Sequence, residues 1–203
     1  MKIFCVGRNY AEHALELNNA VPAEPVIFMK PSTALLPESK DFYYPNFTKD
    51  LHYECELVIR ICKNGKAIQE KFAHTYYDAI TVGIDFTARD IQQRQKEKGL
   101  PWEIAKAFDN SAVVGNFTSV NSFDTKQPFE FNLEKNGMKV QQGNSNDMLF
   151  SFEKIIAYVS QFFTLNMSDY IFTGTPSGVG PVLIGDELKG YLMSDEKFKL
   201  KIK

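Results

Sequence analysis

Two carboxylates stand one residue apart inside a stretch of the sequence that should be buried. Glu54 and Glu56 lie within residues 51–61, which are rich in β-forming apolar side chains. Side chains of a strand alternate between its two faces, so both carboxylates should share one face. A buried pair of like charges persists only with a proton, a cationic partner or a metal ion. The stretch therefore predicts a buried strand with a cation site; the alternative is an exposed strand face.

A third carboxylate, Asp85, follows the apolar residues 79–84 and is expected at the end of a second strand. Thr87 and Asp90 fit a capping box for a helix over residues 91–98. Three carboxylate ligands leave open positions on a hard ion such as Mg²⁺ or Mn²⁺, which suits an oxygen-rich substrate. Asp85 thus completes a predicted metal site with the two glutamates, unless it is an ordinary turn residue.

The composition excludes several classes of protein. The 203 residues suffice for a sizeable core, and we expect a single catalytic domain over residues 1–203. Lysine and arginine (23) nearly balance aspartate and glutamate (25), so we expect no nucleic-acid partner and no attraction to anionic lipid. Three cysteines without a C-x-x-C pair fit core thiols in a reducing compartment. With no signal peptide or membrane span in the sequence, a cytoplasmic protein is expected.

Short β-like runs dominate the sequence, and helices are few. Strands are predicted at residues 3–6, 26–29, 57–62, 80–84, 170–173, 188–193 and 198–202. The expected fold class is α+β, rich in β-structure.

Three local patterns refine this expectation. Asn136-Gly137 lies between two β-like runs, residues 129–135 and 138–142, and predicts a type I′ hairpin away from the carboxylates. An apolar stripe predicts a core-packed helix over residues 152–163. Another helix is predicted after Asn9, with Asn9 as its N-cap, as far as Leu17.

The predicted first helix carries His13 and Glu16 at i and i+3, so both side chains reach the same side. A carboxylate beside an imidazole fixes its tautomer and raises its basicity, which allows it to activate a water. The alternative is an ordinary surface pair. Lys106 is a lone cation in an apolar stretch, and it needs an anion unless its ammonium reaches solvent.

Further groups are candidates for anion contacts. Lys30 follows the predicted strand at residues 26–29, and Arg89 follows the carboxylate Asp85. The glycine- and hydroxyl-rich residues 173–180 offer backbone N–H groups to a carboxylate, and they match neither a Walker loop nor a Rossmann turn. His52 shares the predicted strand face of the glutamates, which suggests a cupin-type metal site; cupins, however, normally bring two histidines close together.

Six motifs together resemble the fumarylacetoacetate hydrolase family, and their order and spacing hold from residue 7 to about residue 193. They are Gly7-Arg-Asn-Tyr-Ala-Glu-His13, Phe28-Met-Lys-Pro-Ser, Glu54-x-Glu56, Asp85-Phe-Thr-Ala-Arg-Asp-Ile-Gln92, Gly99-Leu-Pro-Trp-x-x-Ala-Lys106 and Thr173-Gly-Thr-Pro-x-Gly-Val-Gly180. The sequence is most similar to the short members, which include acylpyruvate hydrolases and oxaloacetate decarboxylases or tautomerases.

The resemblance implies roles for individual residues. The family's Mg²⁺ or Mn²⁺ ligands fall on Glu54, Glu56 and Asp85. Its catalytic histidine, the partnering glutamate and its conserved lysine fall on His13, Glu16 and Lys106. Its substrate and outer contacts fall on Arg89, Gln92, Lys30 and Thr175. The resemblance also implies a mixed β-roll with few helices, assembled as a homodimer.

The residues and the resemblance together predict a divalent-metal-dependent enzyme for small 2-oxo acids. The acid would chelate the metal, and the reaction would pass through a metal-bound enolate that the Lewis acid stabilises. Hydrolysis of a C–C bond in acylpyruvates is the main prediction. Alternatives on the same site are an oxaloacetate decarboxylase or tautomerase and a 2-hydroxyhepta-2,4-diene-1,7-dioate-type isomerase. An alternative of another class is a non-catalytic module that binds a metal or a small acid.

Overall fold

The structure is a computed structural model that describes residues 1–16, 21–38, 40–124 and 127–203. Its strands are β1 (Ile3–Gly7), β2 (Val26–Lys30), β3 (Leu51–Tyr53), β4 (Cys55–Ile61), β5 (Tyr77–Asp85), β6 (Thr87–Ala88), β7 (Ala112–Val114), β8 (Thr118–Ser119), β9 (Glu130–Lys135), β10 (Met138–Asn144), β11 (Tyr170–Phe172), β12 (Gly180–Pro181), β13 (Glu187–Leu192) and β14 (Asp195–Lys201).

The α-helices of the described ranges are α1 (Ala11–Glu16), α2 (Glu70–Ala73), α3 (Arg89–Lys98), α4 (Glu103–Lys106) and α5 (Phe152–Phe162). Short 3-10 helices cover Ser32–Ala34, Val120–Ser122 and Ser145–Asp147. No helix among these described residues combines the length and apolar character that crossing a membrane requires. Strands outnumber helices, so the predicted α+β class with few helices is confirmed.

The strands form three sheets. The largest has seven strands in the order β2-β1-β11-β4-β5-β7, with β8 also paired to β5. Within it β1 and β11 run parallel and the other neighbours antiparallel, so the sheet is mixed, as predicted. A four-stranded sheet has the order β10-β9-β13-β14, and a three-stranded sheet has the order β12-β3-β6. All seven predicted strands form, with ends shifted by a few residues.

The apolar stretch at residues 51–61 forms two strands rather than the one that was predicted. β3 ends at Tyr53 and pairs with β6 and β12, whereas β4 begins at Cys55 and pairs with β5 and β11. Glu54 lies between them, where the chain changes from one sheet to another. β4 is central in its sheet and its apolar side chains are buried, which explains the continuous apolar sequence.

Helix α5 follows the prediction closely. Ser151 caps it by accepting a hydrogen bond from the Lys154 N–H, and its apolar face belongs to the main core. The predicted stripe was too long, because Phe162 and Phe163 at the carboxyl end are 58% and 38% exposed.

Both predicted N-caps near the site were wrong. Asn9 Oδ1, the atom that would cap α1, accepts a hydrogen bond from the Phe150 N–H at 2.7 Å instead, and the Asn9 amide donates to the carbonyl oxygens of Phe150 and Thr173. Thr87 lies in β6 and its hydroxyl donates to the Asp85 carbonyl, so α3 begins at Arg89 without a side-chain cap. Remote partners thus take the Asn9 side chain, and the pairing of β6 with the remote strand β3 keeps Thr87 in a strand rather than at a helix cap. The predicted end of the first helix, Leu17, lies outside the described residues.

The hairpin turn is as predicted. Asn136 and Gly137 have φ angles of 54° and 79°, which a type I′ turn requires, and β9 and β10 flank them. The prediction that this hairpin lies away from the carboxylates was wrong, because β10 brings Gln141 against Cys55, between the two glutamates.

Candidate active site

The three predicted carboxylates converge. Glu54 lies between β3 and β4, Glu56 lies in β4, and Asp85 is the last residue of β5, the strand paired with β4. One oxygen atom from each carboxylate lies within 4.8 Å of the other two. The three residues are only 5%, 2% and 1% exposed. The pairing of two neighbouring strands therefore builds the buried acidic cluster that the sequence predicted.

Cations neutralise two members of this cluster. The Lys106 ammonium lies 2.6 Å from Glu54 Oε2 and 2.7 Å from Asp85 Oδ2. The second oxygen of Glu54 lies 2.5 Å from the Arg89 guanidinium. Asp85 Oδ1 lies 2.8 Å from the Lys30 ammonium. Lys106 is therefore a buried cation that bridges two carboxylates, not a lysine that reaches solvent.

Lys30 lies behind the cluster. It is 1% exposed, and its ammonium also donates to the Lys106 carbonyl and to Ser111 Oγ. It is not among the described residues that line the cavity above the carboxylates. Its position supports Asp85 from below, whereas the family resemblance had suggested a contact to substrate.

Burial and neighbouring charges shift the pKa values of the two glutamates in opposite directions. Burial alone would raise the pKa of Glu54, but Lys106 and Arg89 outweigh it and hold that pKa below the usual range. Glu56 has no cationic partner among the described residues, and its Oε2 accepts one hydrogen bond, from the Gly174 N–H at 2.7 Å. Burial and then the charges of Asp85 and Glu54 raise the pKa of Glu56 well above its usual range.

The cluster fits a hard divalent cation. Oxygen atoms bound to one such ion at about 2.1 Å lie at most about 4.2 Å apart, and one oxygen from each of these carboxylates lies within 4.8 Å of the other two. The cavity beside them has a free interior of about 30 Å³. That exceeds the roughly 10–15 Å³ of such space that one water molecule needs, so a small ion has room there. A cation would also supply the positive charge that Glu56 lacks.

His13, the imidazole of the predicted dyad, borders the same cavity. His13 Nδ1 lies 3.2 Å from Glu16 Oε2 on helix α1, and His13 is 5% exposed. Burial lowers the pKa of His13, although Glu54 and Glu16 oppose that effect, so the neutral imidazole is favoured. Glu16 in turn accepts a hydrogen bond from the Gly178 N–H at 3.1 Å. The pair is thus a buried histidine held by an oriented carboxylate rather than a surface pair.

The predicted substrate contacts Arg89, Gln92 and Thr175 also line this cavity. Arg89 Nη1 donates to Gln92 Oε1 at 2.6 Å, which fixes both side chains along one face of α3. Thr175 Oγ1 donates to the Cys55 carbonyl at 2.8 Å. Arg89 and Gln92 therefore present polar groups above the cluster. Thr175 is hydrogen-bonded to the backbone of Cys55, which lies between the two glutamates of the cluster.

The glycine-rich loop binds carboxylates that belong to this chain. Its amides serve Glu56, through Gly174, and Glu16, through Gly178. Gly174 has a φ of 101°, and a Cβ atom there would come within 2.7 Å of the Asn9 Cβ atom. Only glycine fits at that position, so the loop is built to hold the glutamates rather than to present free amides.

Comparison with known proteins agrees with these motifs. The fumarylacetoacetate (FAA) hydrolase C-terminal family matches residues 2–202. The chain belongs to the fumarylacetoacetate hydrolase family. It is 42% identical over 200 residues to the oxaloacetate tautomerase FAHD1, mitochondrial, of Bos taurus, covering 98% of this chain and 90% of that protein.

Two further members of the fumarylacetoacetate hydrolase family or its fold are informative. Oxaloacetate tautomerase YcgM of Escherichia coli K12 is 42% identical over 188 residues, which cover 92% of this chain and 86% of that protein. The crystal structure of fumarylpyruvate hydrolase from Pseudomonas aeruginosa, in complex with Mn²⁺ and pyruvate, matches with a TM-score of 0.93 and 35% identity. That match covers 100% of this chain and 89% of the other. This chain is therefore a member of an enzyme family whose relatives include tautomerases and hydrolases.

The cupin-type alternative was wrong for this member of the fumarylacetoacetate hydrolase family. His52 Nε2 lies 2.9 Å from Asp50 Oδ1. The histidine is not among the described residues whose ligand atoms cluster with the carboxylates. Because β3 ends before Glu54, His52 does not share a continuous strand face with the two glutamates.

Several residues at this site were not predicted. Arg8, Lys96 and Trp102 line the cavity, and Gln141 lies behind it. Arg8 and Trp102 are parts of the motifs that carry the family resemblance, so the motifs contained a signal for their placement but not for their function. Gln141 had no signal, because its contact with Cys55 joins residues 86 positions apart.

Proposed function

We propose that this chain is a divalent-metal-dependent enzyme for short 2-oxo acids and that its principal reaction is keto–enol tautomerisation of oxaloacetate. The observation that carries the proposal is the buried cluster of Glu54, Glu56 and Asp85 beneath a cavity bordered by Lys106 and His13. The two oxaloacetate tautomerases, each 42% identical to this chain, support the choice of reaction.

Glu54, Glu56 and Asp85 are the residues that would hold the metal. A bound Mg²⁺ or Mn²⁺ supplies a Lewis acid that polarises the oxygens of a 2-oxo acid. Mg²⁺ and Mn²⁺ both accept carboxylate ligands with open positions. The Mn²⁺ in the Pseudomonas aeruginosa relative supports including manganese.

The residues around the cavity suit proton transfer on an anion. Tautomerisation moves one proton between C3 and the 2-oxo oxygen and leaves the atoms otherwise unchanged. When Nδ1 of His13 donates to Glu16, the lone pair lies on Nε2, and burial favours this neutral form. Arg89 and Lys106 add positive charge for the substrate carboxylate. We assign proton transfer to His13 or Lys106 and substrate orientation to Arg89, Gln92 and Thr175.

The test is to follow ketonisation of the enol form of oxaloacetate, with malate dehydrogenase reporting the keto product. Mg²⁺- or Mn²⁺-loaded protein should accelerate the conversion, EDTA should abolish the effect, and added metal should restore it. Absence of acceleration by protein that binds Mn²⁺ in a separate titration would reject the tautomerase assignment without rejecting the metal site.

Hydrolysis of acylpyruvates is the second candidate, and the His13–Glu16 pair favours it. A neutral imidazole oriented by a carboxylate is the arrangement that activates a water, which hydrolysis needs and tautomerisation does not. The Pseudomonas aeruginosa relative is a fumarylpyruvate hydrolase. His13→Ala should lower pyruvate release from acetylpyruvate about a hundredfold or more. Its affinity for Mn²⁺ should not change, since His13 is not among the clustered ligands.

Two other predictions remain proposals. The homodimer rests on family resemblance, and light scattering on the purified protein tests it directly. The cytoplasmic location rests on the sequence alone, whereas the Bos taurus relative is a mitochondrial oxaloacetate tautomerase. Fractionation of cells that express the tagged full chain would decide it.

A further inference from the structure

The mouth of the cavity carries two cations that the proposed reaction does not use. Arg8 follows β1, and Lys96 lies in α3 one helical turn beyond Gln92. Both side chains are half-buried, and both line the cavity that contains the carboxylate cluster. Within the described part of the chain, neither forms an ion pair with a carboxylate. Their charges are therefore available to a ligand.

The charges lining the cavity favour a ligand with two negative groups. Among its described residues are the cations Arg8, Arg89, Lys96 and Lys106 and three carboxylates. A divalent cation held by the three carboxylates would raise the excess of positive charge further. One substrate carboxylate near the metal compensates only part of that excess. A second anionic group at the mouth would compensate more of it where water is partly excluded.

Both cations have unusual local surroundings. Arg8 has a φ of 63°, a left-handed conformation that is uncommon for residues other than glycine and that often accompanies functional sites. The Lys96 ammonium lies 5.9 Å from the centroid of the Trp102 ring. Burial, and then the charges of Arg89 and Arg8, lower the pKa of Lys96. Crowded cations of this kind gain stability when an anion binds between them.

We propose that Arg8 and Lys96 form a subsite for a carboxylate at the end of the substrate remote from the metal, so that the enzyme selects 2-oxo dicarboxylates over 2-oxo acids with a neutral tail. The inference rests on the proposed function and specifies its substrate class. Oxaloacetate and fumarylpyruvate carry such a second carboxylate. Acetylpyruvate, which ends in a methyl group, does not.

The experiment compares fumarylpyruvate with acetylpyruvate, because both would be cleaved at the same bond and they differ in the tail. Lys96→Met and Arg8→Gln should each raise KM for fumarylpyruvate, and for oxaloacetate tautomerisation, about tenfold or more. The KM for acetylpyruvate and the kcat values should stay within about twofold. Arg8→Lys, which retains the charge, should recover most of the loss.

Lys98→Met is the matched control, because Lys98 is an exposed lysine of the same helix that does not line the cavity. It should leave every constant unchanged. Inhibition by oxalate, which has no tail, and the affinity for Mn²⁺ should also be unchanged in Lys96→Met and Arg8→Gln. If the Arg8 variants fail to fold, Lys96→Met alone carries the test, provided that its thermal unfolding is normal.

Equal losses with fumarylpyruvate and acetylpyruvate would overturn the subsite, since general attraction of anions would then explain the data. An unchanged KM for fumarylpyruvate and for oxaloacetate would overturn it as well. If the wild-type protein turned over none of these substrates, the proposed function would fail separately. Calorimetry of Mn²⁺-loaded protein with oxaloacetate and with pyruvate would then still decide whether Lys96→Met weakens binding of the dicarboxylate alone.

Discussion

The segment that carries the two glutamates and the β9–β10 hairpin contribute to the same site in different ways. Glu54 and Glu56 supply charge, and their chemistry can be read from three consecutive residues. The hairpin supplies Gln141, whose importance comes only from what it contacts. Gln141 Oε1 accepts a hydrogen bond from the Cys55 N–H at 2.9 Å, and its Nε2 donates to Thr175 Oγ1 at 2.8 Å.

These contacts replace a missing strand. β11 pairs with β4 only from Val58 to Arg60, so the outer edge of Cys55 has no strand beside it. Gln141 satisfies the Cys55 N–H and Thr175 satisfies its carbonyl, at 2.9 and 2.8 Å. The peptide between the two glutamates is therefore held by side chains. Ligand identity is a local property, whereas ligand orientation depends on remote segments.

The largest effect is expected when the charges of the metal site are removed. Glu54→Gln and Asp85→Asn keep the side-chain shape but remove a metal ligand charge, and EDTA removes the metal. Each should lower tautomerase activity about a thousandfold or more, because the Lewis acid is lost. Calorimetry with Mn²⁺ should show the matching loss of affinity. Full turnover by metal-free protein would reject the metal hypothesis.

Gln141→Leu tests the remote contribution. It leaves the buried Cys55 N–H without an acceptor, which should cost about 1–3 kcal/mol of unfolding free energy. The affinity for Mn²⁺ should fall about tenfold, as for other residues that orient metal ligands. Gln142→Leu is the matched control, because Gln142 is the next residue of β10 and is exposed. A lower melting temperature with unchanged Mn²⁺ affinity would show that Gln141 has only a structural role.

The pH dependence of hydrolysis tests whether His13 retains the environment that the fold gives it. Burial lowers its pKa from 6.5, and a bound cation would lower it further, so the neutral base persists at a pH where an exposed histidine is protonated. The value of kcat/KM for acetylpyruvate should therefore fall only as the pH drops below 6.5. An acidic limb centred at or above 6.5 would contradict the assignment of His13 as the base.

The hairpin turn should show the smallest effect on the site. Gly137→Ala places a side chain at a φ of 79° with no atom nearby to clash, so its cost is conformational, about 1 kcal/mol. The affinity for Mn²⁺ should not change if the hairpin acts on the cluster only through Gln141. Thermal unfolding and calorimetry on one sample measure both quantities. A parallel loss of affinity would show that the whole hairpin, not one side chain, positions the glutamates.

Much of the fold was predictable because its signals are local. The seven strands, the type I′ turn at Asn136-Gly137 and helix α5 all depend on alternation, turn chemistry or helical periodicity within a few residues. Both wrong N-caps fell on polar residues for which the fold offers a remote partner as well as the local one. Asn9 and Thr87 fit N-caps in sequence, yet Asn9 binds the remote Phe150 and Thr173, and Thr87 lies in β6, which pairs with the remote strand β3. A pattern cannot rank a local partner against one that lies far away in the chain.

The sequence by itself determined which groups are available: three carboxylates in apolar stretches, a histidine with a glutamate one helical turn away, and a lone lysine. Burial makes such charges costly, so their presence in apolar stretches already favoured a common site. The tertiary structure alone decided that Lys106 bridges Glu54 and Asp85, that Lys30 lies beneath them, and that Gln141 holds the intervening peptide. Distances between remote segments follow from how the sheets pack, and no local pattern records them.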